Sequence, residues 1–232
     1  AVRCGVSRFV WLSSSKVLGD ISAAPLAVQA PYAPVGHYAR SKMHGELALL
    51  AQVESESLSG FTSGPGSESG PGTESGPGTA LLIVRPPLVY GPGVGANFRS
   101  LVQAALSPWP LPLGRALAPR SVIAVANLCA ALRQCAAAPA GIYQLADAQP
   151  MSVAGLLRSL RRAAGKRGRL LPVPAWLLRL GLQFVGRSAA YQRLFCPLVL
   201  DTADSEARLR WRPPFSTESQ LQETVSWYRS QH

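Results

Sequence analysis

The sequence predicts an α/β fold on three observations: short apolar runs ending in small polar residues, segments of helical period between them, and turn-rich junctions. Arg8-Phe-Val-Trp-Leu-Ser13 suits a buried parallel strand feeding a loop. After turn-rich Ala23 to Gly36, the segment Tyr38 to Val53 has Met43, Leu47, Leu50 and Ala51 at helical spacing. Ala80-Leu-Leu-Ile-Val-Arg85 is a second buried strand, stopped by Pro86-Pro87, which have no amide donor for a ladder. Ser121 to Val125 is a third, with Asn127 positioned to cap a helix from Leu128 to Ala136. Helices follow at Ser152 to Ala164 and, after Pro172-Val-Pro174, along the apolar run from Trp176 to Val185.

Composition bounds the class. At 232 residues, 47% hydrophobic and 15% charged, the chain is globular and long enough for one or two domains. Lys and Arg total 23 against 12 Asp and Glu, a net charge of +11 that invites a polyanionic partner. Of those 23 cations 20 are arginine, so arginine usage reflects coding bias as much as selection for phosphate, and a lysine is the more informative cation. Arg158, Arg161, Arg162, Lys166, Arg167 and Arg169 read as a solvated basic face; no stacking aromatics or nucleic-acid module accompany them, so no nucleic acid is expected. Cys4, Cys129, Cys135 and Cys196 are widely spaced and share no ligand pattern with the three histidines. No metal site is expected, and the cysteines read as reduced and buried. The Trp176 run is too short for a span of ~20 residues and is interrupted by Arg179 and Gln183. A packed helix without stable membrane insertion is the expectation, with docking at a membrane surface as the lesser reading.

Residues 55–79 form a low-complexity insert. The six-residue unit Ser-Gly-Pro-Gly-Ser/Thr-Glu/Ala recurs three times from Ser63 to Ala80. So polar a segment builds no core and is expected as a surface loop.

The chemistry concentrates in two patterns. The first strand ends in Ser13-Ser14-Ser15, and 24 residues after Ser14 comes Tyr38-Ala39-Arg40-Ser41-Lys42. On a helix, the i,i+4 spacing puts Tyr38 and Lys42 on one face. A phenol with a pKa of about 10 is a poor base near neutrality unless a cation favours its phenolate, and Lys42 supplies one. A serine hydroxyl at a strand's C-terminal end can hold a substrate oxygen beside the phenol, which suits proton exchange with a carbinol or carbonyl during hydride transfer.

Five markers stand in order: Arg8-Phe-Val-Trp-Leu-Ser-Ser14 through Gly19, Tyr38/Lys42 with Glu46, Arg85-Pro-Pro-Leu-Val-Tyr-Gly-Pro-Gly93, Arg120-Ser-Val-Ile-Ala-Val125 leading to Asn127-Leu128, and Trp211-Arg-Pro-Pro-Phe-Ser216 with Trp227-Tyr228. With them the chain resembles the extended short-chain dehydrogenase/reductase family, in its NAD-dependent nucleotide-sugar epimerase/dehydratase branch, outside the insert. The resemblance implies the C-terminal part of a Rossmann-like doubly wound parallel sheet plus a small, mostly helical substrate-binding region. It divides the chain into residues 1–54 and 80–150 for the cofactor domain and 151–232 for substrate binding. It implies Ser14 as the catalytic serine, Tyr38 as general acid/base and Lys42 as the residue that lowers the phenol's pKa. Ser13, Tyr38, Lys42, Pro86 and Pro87 would meet NAD, with NADP open, and Ser14, Asn97 and Arg120 would meet a UDP-sugar. Arg120 suits a diphosphate because its guanidinium binds such oxygens two at a time. Plainer readings stand beside these: Ser13 to Ser15 as a strand end, Asn97 as a helix cap, Arg120 as a solvated arginine, Tyr90 as structural.

The departures narrow the reaction. Sugar dehydratases of this family carry an Asp-Glu pair where this chain has Ser15-Lys16, so C4 epimerisation or 4-keto reduction or oxidation of a UDP-hexose is implied over dehydration. Ala124 stands where the family often has His or Tyr. The family's opening strand and G-x-x-G-x-x-G turn, which cradle the dinucleotide pyrophosphate at a helix N-terminus, do not occur before Arg8. By resemblance roughly the first hundred residues of the fold are missing, and the chain alone is expected to bind NAD poorly and to be inactive. A cytoplasmic location in surface-polysaccharide synthesis is implied, and a homodimer is left open for the intact protein. A non-catalytic remnant of the fold and a dehydrogenase of steroid or flavonoid-like alcohols are the alternatives.

Overall fold

The computed structural model describes residues 6–59, 79–166, 170–184 and 188–231. Strand β1 (Arg8–Leu12) and strand β2 (Ala80–Arg85) pair in parallel, Phe9 level with Leu81 and Leu12 with Val84, and helix α1 (Gly36–Ser59) makes the crossover between them. β2 pairs on its other side with β5 (Gly141–Gln144), also in parallel. A second parallel pair joins β3 (Leu88–Tyr90) to β4 (Val122–Ala124). This is the predicted α/β arrangement, and the second strand has the predicted limits. β2 is buried from Leu81 to Arg85, as a strand flanked on both sides must be. β1 differs from expectation: it is an edge strand among the described residues, with Val10 37% and Leu12 42% exposed.

The remaining helices are α2 (Ala96–Leu106), α3 (Val125–Gln134), α4 (Val153–Ala163), α5 (Ala175–Phe184), α6 (Ser188–Phe195), α7 (Ala203–Leu209) and α8 (Thr217–Ser230). Ser152 and Ser216 cap α4 and α8, each hydroxyl accepting the backbone N–H three residues on. One core lies between α2, α4, α8 and the β3/β4 pair, around Phe98, Leu157, Leu160 and Leu221. The other lies on β2 and β5 and takes in Leu209 and Trp211 from the C-terminal segment.

Four expectations change. α1 runs on to Ser59, so the first five residues of the predicted insert are helical, and the repeats through residue 78 lie outside the described residues. Asn127 is not a cap: α3 begins at Val125. Asn127 is fully buried, its Nδ2 donating to Asp147 at 2.7 Å and to the Phe215 carbonyl at 3.0 Å. Asp147 also accepts from the Tyr90 hydroxyl at 2.6 Å and the Ala124 N–H at 3.1 Å. Burial first, and the carboxylate second, hold the Tyr90 phenol well above its ordinary pKa, so it serves as a fixed donor. Cys129 is exposed, whereas Cys135 is buried; Cys4 lies outside the described residues. The basic face is only partly solvated, because Arg161 is buried and donates to the Ser107 and Trp109 carbonyls at 3.3 and 2.7 Å. Arg167 and Arg169 lie outside the described residues.

After β3 the chain turns at Gly91, whose φ of +144° is open to glycine alone, and a Cβ there would stand 2.4 Å from Val125 Cγ1. Gly91→Ala is expected to cost about 1–3 kcal/mol of stability, read as a lower urea midpoint at unchanged slope.

Candidate active site

The site begins where β1 and β2 end side by side. Ser13 N–H donates to the Val84 carbonyl at 2.8 Å and Ser15 N–H to the Pro86 carbonyl at 2.9 Å, so the parallel register continues past the strands. Ser14 lies between them in extended conformation and caps a 3-10 turn (Ser15–Leu18), its Oγ accepting from the Lys16 N–H at 3.3 Å. Ser13 is buried and its Oγ has no hydrogen-bond partner among the described residues.

Tyr38 stands in the first turn of α1, 57% exposed. One turn later Lys42 reaches back to β1: Nζ donates to the Leu12 carbonyl at 2.9 Å and lies 5.0 Å from the centre of the Trp11 ring. Further along α1, Glu46 is fully buried and takes Arg85 from the end of β2, accepting from Nε at 3.1 Å and from Nη2 at 2.5 Å. Tyr32 closes this group, donating to Glu46 at 2.7 Å and accepting from Arg85 at 3.0 Å. Burial, and then its bond to the carboxylate, raise the Tyr32 pKa. The helix that carries Tyr38 is thereby tied at two points to the ends of both strands that flank it.

Ser14, Tyr38, Pro87 and Arg120 line one cavity of about 660 Å³, a volume suited to a small-molecule ligand. Arg120 stands at its wall with Nη1 donating to the Cys196 carbonyl at 2.7 Å and Nη2 to the Asp20 carbonyl at 3.3 Å. Pro86 is buried, and neither it nor Ser13 nor Lys42 lines the cavity. Asn97 is in the first turn of α2, beside the lining residue Phe98, and its side chain lies outside what is described.

Two parts of the cavity escaped sequence reasoning. Lys16 lines it, paired with Asp20 at 3.5 Å; with Arg120 it makes the lining cationic, and no carboxylate among the described residues lines the space. The rest of the lining is largely apolar, with Phe98, Leu101 and Ala104 from α2, Leu156 from α4, and Leu194 and Leu198. The Phe98/Leu101 and Leu101/Ala104 spacings were readable as a helical face, but nothing local says that this face borders a cavity rather than a filled core. Tyr90 stacks on Phe98 at 5.4 Å between ring centres, so the buried Asp147 network also fixes that part of the lining. Hydroxyls, two cations and an apolar surface in one cavity suit an anionic ligand with a hydroxyl to be protonated or deprotonated.

The model of the NAD dependent epimerase/dehydratase family matches residues 1–146. UDP-glucose 4-epimerase of Vibrio cholerae is 30% identical over 231 residues, covering 97% of this chain, which spans 64% of that relative's length. Among solved structures, UDP-glucuronic acid 4-epimerase from Bacillus cereus in complex with NAD has a TM-score of 0.68 at 15% identity, covering 97% of this chain and 62% of its own. UDP-glucose 4-epimerase from Thermotoga maritima with UDP-glucose has a TM-score of 0.68 at 17% identity, covering 99% of this chain and 66% of its own. At those identities the two structures speak for the fold.

Proposed function

The chain belongs to the NAD-dependent epimerase/dehydratase family, and from that premise we propose that it carries the nicotinamide end and the sugar-nucleotide side of a UDP-hexose 4-epimerase or 4-keto-hexose reductase. The observation that carries the reading is the single cavity shared by Ser14, Tyr38 and Arg120, with Lys42 one helical turn from Tyr38. In this reading residues 1–54 and 80–150 are the cofactor side and 151–232 the substrate side.

The strand ends fit the nicotinamide end of NAD, or of NADP, because Ser13 Oγ is buried without a partner among the described residues and the Pro86 carbonyl meets the Ser15 N–H two residues on. When bound, that cofactor supplies the hydride acceptor and donor. Tyr38 Oη takes the proton of the sugar C4 hydroxyl and returns it, while Ser14 Oγ holds the reacting oxygen. Lys42, whose ammonium is held by the Leu12 carbonyl one helical turn from Tyr38, meets the nicotinamide ribose. Arg120 and Lys16 hold the diphosphate, and the apolar part of the lining receives the flat base. An epimerase runs the proton and hydride exchange out and back; a reductase uses half of that cycle.

A non-catalytic reading of the isolated chain has its own support, since the G-x-x-G-x-x-G pattern of the family's cofactor turn occurs nowhere in its sequence. The chain alone is therefore expected to bind UDP-glucose in the ~1 μM to 1 mM range of ordinary substrates, yet to bind NAD weakly and to turn over nothing. Calorimetric titration with UDP-glucose, UMP and NAD checks both halves. A chain indifferent to UDP-sugars, or one that binds NAD tightly and turns over, contradicts the proposal.

A further inference from the structure

The helix α5 was expected to be packed, yet none of its residues is buried. Trp176 is 67% exposed, Leu177 and Leu180 46% each, and Phe184 84%. At 3.6 residues per turn these four side chains fall within an arc of about 100°, one continuous apolar stripe. Leu178 and Leu182, on the opposite side of the helix, are half-buried, and α5 packs against α6. The helix is thus apolar on the side it packs with and apolar on the side it shows to water.

The stripe is extended by the chain that leads into it. Leu171 is 47% exposed, and its N–H donates to the carbonyl of Leu111 at 2.8 Å. Two residues before Leu111, Trp109 is 74% exposed, held by the buried Arg161. Two exposed tryptophans, three exposed leucines and an exposed phenylalanine on these joined segments present more apolar side chain than water stabilises.

Charge says what covers it. From residue 148 to residue 200 the sequence holds nine Arg and Lys and not one Asp or Glu. Among the described ones, Arg158 and Lys166 are exposed at the base of the patch. Arg158 donates to the Gly114 carbonyl at 3.5 Å, where the Gly114 N–H is bonded to the Leu171 carbonyl, and Lys166 donates to the Leu106 carbonyl. Arg179 is exposed on the flank of α5 itself, 5.9 Å from the Tyr191 ring. A second copy of this chain would bring the same cations against these, with no carboxylate from this stretch to answer them. An anionic lipid surface answers both the apolar stripe and the charge. Among the described residues no helix is long and apolar enough to cross a membrane, so the contact is one that lies in the interface.

We propose that α5 is an interfacial docking helix, which seats Trp176, Leu177, Leu180 and Phe184 in the headgroup region of an anionic membrane, with Trp109 and Leu171 beside them and Arg158, Lys166 and Arg179 on the phosphates. Such docking is independent of the reaction proposed for the cavity and would hold the sugar-nucleotide side of the protein at a membrane surface.

Sedimentation of the chain with phosphatidylglycerol vesicles tests this, with phosphatidylcholine vesicles as the comparison. Binding is expected to be at least tenfold stronger on the anionic vesicles and to fall as salt rises. The Trp176→Ser/Phe184→Ser pair should lower it at least tenfold, and the Lys166→Gln/Arg179→Gln pair by about fivefold per charge removed. Phe184→Ser alone, at the most exposed of the six positions, guards against a double variant that fails to fold, and unchanged circular dichroism and urea midpoint show that the fold is kept. Equal binding to both vesicle types, or binding untouched by these substitutions, overturns the proposal. So does a dimer in sedimentation velocity that Phe184→Ser dissociates while the wild-type chain ignores vesicles, because then a second copy covers the face.

Discussion

Tyr38→Phe is expected to lower turnover by about 10²–10⁴-fold in a protein that joins these residues behind the N-terminal segment of the Vibrio cholerae relative, while UDP-glucose binding stays within a factor of a few. The substitution removes one oxygen from a side chain that is half-exposed in the first turn of α1, so it leaves no cavity and little to refold. The loss belongs in kcat, because the phenol acts on a proton that moves only as the reaction proceeds. Lys42→Met is expected to act in the same direction, since it removes the ammonium that stands one helical turn from Tyr38 and is held by the Leu12 carbonyl. If the Tyr38→Phe protein keeps its rate, the proton leaves by another group and the role given to Tyr38 falls.

Glu46→Ala is expected to destabilise the chain by about 3–5 kcal/mol, the range for removing one partner of a buried ion pair, measured as a shifted urea midpoint. Glu46 is fully buried and Arg85 only 2% exposed, so the variant leaves a guanidinium inside the protein with Tyr32 and the Val28 carbonyl as its remaining partners. Replacing both by apolar residues of similar size, Glu46→Leu with Arg85→Met, should recover most of the loss, because the cost comes from the stranded charge. A single variant as stable as the wild type would mean that the group is open to water.

These two effects show what the sequence reveals and what it hides. The strand Ala80 to Arg85 was legible because a buried parallel strand is apolar without interruption and Pro86-Pro87 must end it. The Tyr38/Lys42 pair was legible because helical spacing is a local property. Glu46 and Arg85 were each visible as markers, but their union was not: they lie 39 residues apart with the insert between them, and no local rule pairs them. Asn127 was misread for a related reason. A cap and a buried amide look alike in sequence, and the difference rests on Asp147, 20 residues on. β1 was expected to be buried because its composition is that of an inner strand, whereas its exposure depends on what lies along its outer side. The helix after Pro174 was expected to be packed on composition alone, and a sequence does not tell an apolar helix that is covered by its own fold from one that is not.

The edge position of β1 has a consequence for assembly. Along Arg8 to Leu12 one row of peptide groups is bonded to β2, and no strand among the described residues takes the other row. A peptide that docks there in parallel arrives with its C-terminal end level with Ser13 and Ser14, the end at which open α/β sheets receive their ligands. Such a strand would bring its own following turn to the mouth of the cavity and would cover Val10 and Leu12 as it did so. Left open, the same row is a template on which any extended segment can grow. The outer row is thus a place where either a matching strand or a second copy can pair, in competition with Lys42 for the Leu12 carbonyl, and an added strand peptide is expected to suppress self-association.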